Sequence, residues 1–142
     1  MAPTPAQWRA RQTRIEANRS HQETFTGPLP LPSARNAGGV VTEDALRSLA
    51  ISQRLLAREE IVLLHHTDCG METFTDDGFR QDIESETGIR PTWAAEAFPE
   101  AAADVRQGIN RIRSNPFVAR TDKVRGFVFD VATGAIDEVQ SA

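Results

Sequence analysis

The sequence predicts an α/β domain built on a parallel sheet. Two short runs carry this reading: Glu60–His65, β-branched at Ile61 and Val62 and apolar on both faces as a central parallel strand is, and Val124–Val131, a second buried strand with Phe127 and Phe129 on one face. Between them lie segments whose apolar residues recur at helical spacing, so the order helix, strand, helix, helix, strand emerges, which is the pattern of a sheet with crossover helices. A chain of 142 residues with 39% hydrophobic and 25% charged residues is long enough to bury one real core.

Taken in chain order, residues from about Pro5 to Arg19 read as a polar helix, with arginines spread around it and only Trp8 and Ile15 as large apolar residues. Such a helix has little to bury alone, so it is either frayed or laid across a neighbour such as a second subunit. In Thr26-Gly27-Pro28-Leu29-Pro30-Leu31-Pro32, prolines at alternate positions impose an extended connector. Gly38-Gly39 gives a bend before Val40-Val41. Thr42 is placed to cap a helix that opens on Glu43 and Asp44 and runs to about Ala57. Its wide apolar arc (Ala45, Leu46, Leu49, Ala50, Ile51, Leu55 and Leu56) predicts deep burial.

Thr75 is a second cap, for a helix over Asp76 to Thr87 with Phe79 and Ile83 turned inward and Gly88 as its stop. A further helix starts near Pro99, carries Ala102, Val105, Ile109 and Ile112, and must end by Asn115-Pro116. After the second strand, Ala132-Thr133-Gly134 turns the chain into a short last strand, Ile136–Val139.

The chemistry concentrates in His65-His66-Thr67-Asp68-Cys69-Gly70, where the first strand meets a loop. A His-x-x-Cys pair can place imidazole and thiolate on one ion, and zinc favours both donors in a tetrahedral set of four. In open α/β sheets ligands bind beyond the carboxyl ends of the strands, where His66 and Cys69 fall. A catalytic zinc needs a third protein ligand and an open position for water. Cys69 is the only cysteine in the chain. By itself His-x-x-Cys is a weak pattern, and a lone cysteine after a buried strand is more often a small core residue. Strand alternation points His65 away from His66, toward a packed or hydrogen-bonded role. His21 lies in a polar, exposed stretch.

Three segments, Arg35-Asn36-Ala37-Gly38-Gly39-Val40-Val41, Asp44-Ala45-Leu46-Arg47-Ser48-Leu49 and His65-His66-Thr67-Asp68-Cys69-Gly70-Met71, resemble the β-class carbonic anhydrases. Ile89-Arg90-Pro91, Trp93-Ala94 and Arg125-Gly126-Phe127-Val128-Phe129-Asp130 resemble the small bacterial branch of that family. The resemblance implies a lyase performing reversible hydration of carbon dioxide to bicarbonate, with one zinc (Zn2+) held by two cysteines and one histidine. His66 and Cys69 match the second and third of those ligands. It also implies dimers or tetramers with N-terminal helices wrapped over a partner.

The chain departs from the pattern at one place. The family's first cysteine ligand lies in a Cys-x-Asp-x-Arg motif between the proline-rich connector and the Arg-Asn-Ala-Gly-Gly block, and here Leu31-Pro32-Ser33-Ala34 runs straight into Arg35-Asn36. The expected architecture is therefore a β-carbonic-anhydrase-like parallel sheet flanked by helices, with its central N-terminal strand region deleted. Residues 1–34 form an arm and connector, and residues 35–142 the shortened domain. The expected site holds two of three family ligands, and Asp68, His65, His21 or a group from a partner subunit are the available substitutes.

The expected activity is impaired, the alternative being an inactive member that serves as a dimerisation or interaction module, paired with itself or with an intact relative. A thiol role for Cys69, activated by His66, is the weakest reading without a second cysteine to resolve it. Trp93 and Phe98 read as packing residues, Asp76 and Asp77 as helix-start charges, and Arg111, Arg113 and Arg120 as a solvated face. Gly38-Gly39 reads first as a bend, and the resemblance adds that it lines the substrate approach. A net charge of −4 argues against nucleic acid as a partner, and no apolar run reaches the length of a membrane span. Met1 to Ser20 lack the apolar centre of a secretory signal, and a single cysteine suits a reducing cytoplasm.

Overall fold

The computed structural model describes residues 34–140. The expected N-terminal helix, the proline-rich connector and His21 lie outside the described residues. Three strands, β1 (Ile61–His66), β2 (Val124–Phe129) and β3 (Ile136–Val139), form a mixed sheet in the order β1-β2-β3. β1 and β2 are parallel, with Ile61 opposite Val124 and His66 opposite Phe129, while β2 and β3 are antiparallel. Three helices accompany them, α1 (Glu43–Leu56), α2 (Asp76–Thr87) and α3 (Ala101–Ser114). Short 3-10 turns occupy Ala37–Gly39 and Gly70–Glu72.

Each helix begins where its side-chain cap dictates. The Thr42 hydroxyl accepts from the Ala45 N–H at 3.2 Å, the Thr75 hydroxyl from the Gly78 N–H at 3.3 Å, and the Glu100 carboxylate from the Ala103 N–H at 3.1 Å. α2 stops at Gly88 in the left-handed conformation, as its sequence predicts.

α3 makes the core. Val105, Ile109 and Ile112 are fully buried and pack with Val41, Leu46, Ile61, Val118 and Val124. The small residue Ala101, one position before the expected Ala102, points into the packing. Gly126 lets the helix settle on β2, because a Cβ there would lie 2.2 Å from Val105 Cγ1 and 3.0 Å from Ile109 Cδ1.

Several expectations of burial fail. α1 buries only Leu46 and Gln53, and Leu55 is 78% exposed. The apolar arc predicts a core face, but among the described residues nothing covers its far side. Gln53 is instead buried because its amide closes two bonds with the Arg120 backbone, at 2.7 and 2.8 Å. α2 buries no residue, so Phe79 is half-exposed against Phe74 and Trp93 rather than turned into a core. β1 is an edge strand among the described residues, not a central one, and Val62 and Leu64 are 61% and 55% exposed. β2 ends at Phe129, two residues early, because Asp130 starts the turn to β3. No helix among the described residues is long and apolar enough to cross a membrane.

Candidate metal centre

The loop leaving β1 is fixed from both sides. The Thr67 N–H donates to the Phe129 carbonyl at 2.9 Å, and the Thr67 hydroxyl accepts from the Val131 N–H at 3.1 Å. The Glu72 carboxylate accepts from the Ala101 N–H at 2.9 Å, which ties the end of the loop to the N-terminus of α3, where negative charge is favoured. Asp68 between these anchors has φ 55°, a left-handed conformation that turns the chain toward Cys69.

His65 does what alternation predicts. It is 3% exposed, and its Nε2 lies 2.8 Å from the Asp104 carboxylate on α3. An ionised carboxylate only accepts, so Nε2 carries a proton, and Nδ1 is left buried without a hydrogen-bond partner. The ring also packs on Phe98, with centroids 5.4 Å apart. Gly39, at φ 71°, closes over it: a Cβ there would come within 3.2 Å of both His65 Nδ1 and the Leu64 carbonyl oxygen. The glycine pair is thus a bend whose backbone lies against the carboxyl end of β1. Gly38 similarly abuts Met71 and Phe98.

His66 is exposed, and its Nδ1 lies 2.8 Å from the Thr67 carbonyl oxygen. A carbonyl only accepts, so Nδ1 holds the proton and the Nε2 lone pair is available to a cation, the orientation seen in metal-binding histidines. Cys69 is 7% exposed and packs with Val40, Met71, Phe98 and Ala101. The imidazole is therefore at the surface and the thiol within the second apolar cluster. Among the described residues no group of three or more His, Cys, Asp or Glu side chains is placed to hold a metal ion. The donor types fit zinc, but the described residues supply no closed ligand set, and no catalytic step is derived through the ion.

Of the remaining marked residues, Phe98 packs as read, whereas Asp76 is more than a helix-start charge and Arg111 is half-buried rather than part of a solvated face. Phe98 is buried in the second cluster, Asp76 accepts from the Glu96 and Ala97 N–H groups, and Arg111 pairs with Glu96. Asp77 is bound by Arg90, and Arg120 by Glu59. Sequence reasoning missed Asp104 and Glu72, the carboxylates that join α3 to the end of β1 and to the loop after it. Neither stands in a spacing pattern with its partner, and only the fold brings them to it.

No family model matches the chain. It is 66% identical over 105 residues to β-carbonic anhydrase 1 of Mycobacterium tuberculosis, a match that covers 74% of this chain and 64% of that protein. The chain thus spans just under two thirds of the curated relative's length. A carbon disulfide hydrolase of an Acidianus species is 28% identical over 124 residues, covering 70% of this chain and 60% of that one. Among solved structures, the carbonic anhydrase of Streptococcus mutans superimposes with a TM-score of 0.70 at 29% identity, covering 99% of this chain and 100% of that one. Fold and sequence agree on one assignment: the chain belongs to the β-carbonic anhydrase family.

Proposed function

We propose that this chain is a zinc-binding relative of the carbon dioxide-hydrating lyases, with His66 and Cys69 as two of its metal donors and with impaired turnover. The high identity to β-carbonic anhydrase 1, in a match that covers most of the chain, carries this reading. The family is zinc-dependent, and carbon dioxide and bicarbonate are its substrates. The tautomer of His66 supports its role as a ligand, because its outward nitrogen is the one left unprotonated. Impairment follows from the ligand count: two donors hold zinc more weakly than three and leave it poorly oriented.

Zinc content and carbon dioxide hydration measured on one sample of purified chain test this. The expected result is less than one zinc per chain and turnover far below that of an intact relative. Stoichiometric zinc with comparable turnover would show that another group completes the site. His66→Ala and Cys69→Ala should each lower the zinc content further; retention of zinc by both variants removes these residues from the site.

A second reading is favoured by the sheet face that no described element covers: an inactive member that acts by association, with a second copy or an intact relative as partner. The single cysteine supports a reducing, cytoplasmic setting for either role.

A further inference from the structure

His66 and Cys69 are carried by a strand end whose hold on α3 runs through their neighbour His65. The His66 ring bonds the adjacent Thr67 carbonyl, so that bond travels with the strand and does not anchor it. His65 faces the other way. Its side chain is 2% exposed and bonds the Asp104 carboxylate, which is 13% exposed. Asp104 stands in the first turn of α3, where negative charge is favoured. That helix is seated on β2 by Val105 and Ile109 over Gly126, so the carboxylate belongs to a rigid element.

The His65–Asp104 pair reaches both candidate donors. Along the chain, His65 precedes His66. Across space, the His65 ring packs on Phe98, which shares an apolar cluster with Cys69, Met71 and Ala101. The Phe98 N–H also donates to the Met71 carbonyl at 3.2 Å. The ring has little room to turn elsewhere, because Gly39 lies against its Nδ1 side and Phe98 against its face. Without Asp104, neither ring nitrogen has a partner among the described residues. An unpaired buried polar group bears its full desolvation cost. The imidazole then reaches water only if the end of β1 or the Phe98 cluster opens.

We infer that Asp104 is a positioning residue for the candidate metal centre: by holding His65 it fixes where His66 and Cys69 stand. It acts through His65 and not as a ligand. The inference deepens the metal-binding reading proposed above and rests on it. The Nε2 proton needs only an acceptor, so Asp104→Asn, whose amide oxygen still accepts, keeps the link, whereas Asp104→Ala removes it.

Cys69 is the only cysteine in the chain, so its labelling by dithionitrobenzoate reports this loop alone. On the metal-free full chain under native conditions, labelling should be about tenfold faster in Asp104→Ala than in wild type. Zinc affinity, measured by competition with a chromophoric chelator, should be about tenfold weaker in the same variant. Asp104→Asn should stay near wild type in both. Gln53→Ala removes buried bonds to the Arg120 backbone and controls for general loss of stability; it should change neither readout. If circular dichroism shows Asp104→Ala unfolded, Asp104→Ser takes its place in the same comparison. Equal changes in Asp104→Ala and Gln53→Ala would overturn the inference, since lost stability would account for both. Wild-type labelling and affinity in Asp104→Ala would overturn it as well, while zinc lost in His66→Ala and Cys69→Ala would leave the donor reading standing. Zinc affinity untouched by His66→Ala and Cys69→Ala would overturn the donor reading itself, and the inference with it.

Discussion

On one face of the sheet, Ile61, Val124 and Gly126 lie under Val105, Ile109 and Ile112 of α3; on the other, Val62, Leu64 and Ile136 stand exposed. Both faces draw on the same apolar residue types from the same strands, so hydrophobicity alone does not decide which is buried. What differs is the counterpart. α3 offers three residues at helical spacing to a surface hollowed by Gly126, whereas among the described residues no element reaches the opposite face. An apolar pattern specifies that a surface wants cover, and tertiary partners decide whether it has it.

The contrast is broken most strongly by hollowing the covered face. Ile109→Ala should cost about 2–5 kcal/mol by denaturant titration, while Leu64→Ala, measured below the concentration of association, should stay within about 0.5 kcal/mol. Equal losses would mean that the open face is packed after all.

A smaller effect sharpens the comparison at the strand end. Asp104→Ala leaves the buried His65 with both ring nitrogens unpaired, so a loss of about 1–3 kcal/mol is expected in thermal unfolding. A neutral result would show that the ring is held by packing on Phe98 alone.

The smallest expected effect concerns the turn between β2 and β3. Backbone N–H groups of Ala132 and Thr133 hold the Asp130 carboxyl below its ordinary range. A carboxylate lowered in the folded state adds stability above its unfolded pKa and loses it as pH falls through the folded value. The turn should therefore loosen only in acid below the usual carboxylate range, seen as faster amide exchange at residues 132–134 there. Asp130→Asn should abolish this acid dependence; its persistence would point to another group.

Much of this was legible in the sequence. Thr42, Thr75 and Gly88 marked helix ends through local chemistry alone, and the fold kept them. The His65 alternation was readable for the same reason, since strand geometry fixes it. The motif blocks gave the family. The burial of α1 and of Phe79 was not legible, because both depend on partners supplied from elsewhere in the fold. Nor were Asp104 and Glu72 as anchors of the end of β1 and the loop after it, since each meets its partner only after α3 docks. The chemistry of His66 and Cys69 was readable as residue types, whereas whether a ligand set closes around them depends on geometry.

The parallel pairing of Ile61 with Val124 carries a kinetic consequence. These strands are separated by α2 and α3, so their ladder closes only after a long loop has been ordered. Until then no described strand pairs with β1 on either side. Refolding at high protein concentration therefore sets intramolecular closure by β2 against capture by other chains, and dilution should raise the yield of native protein.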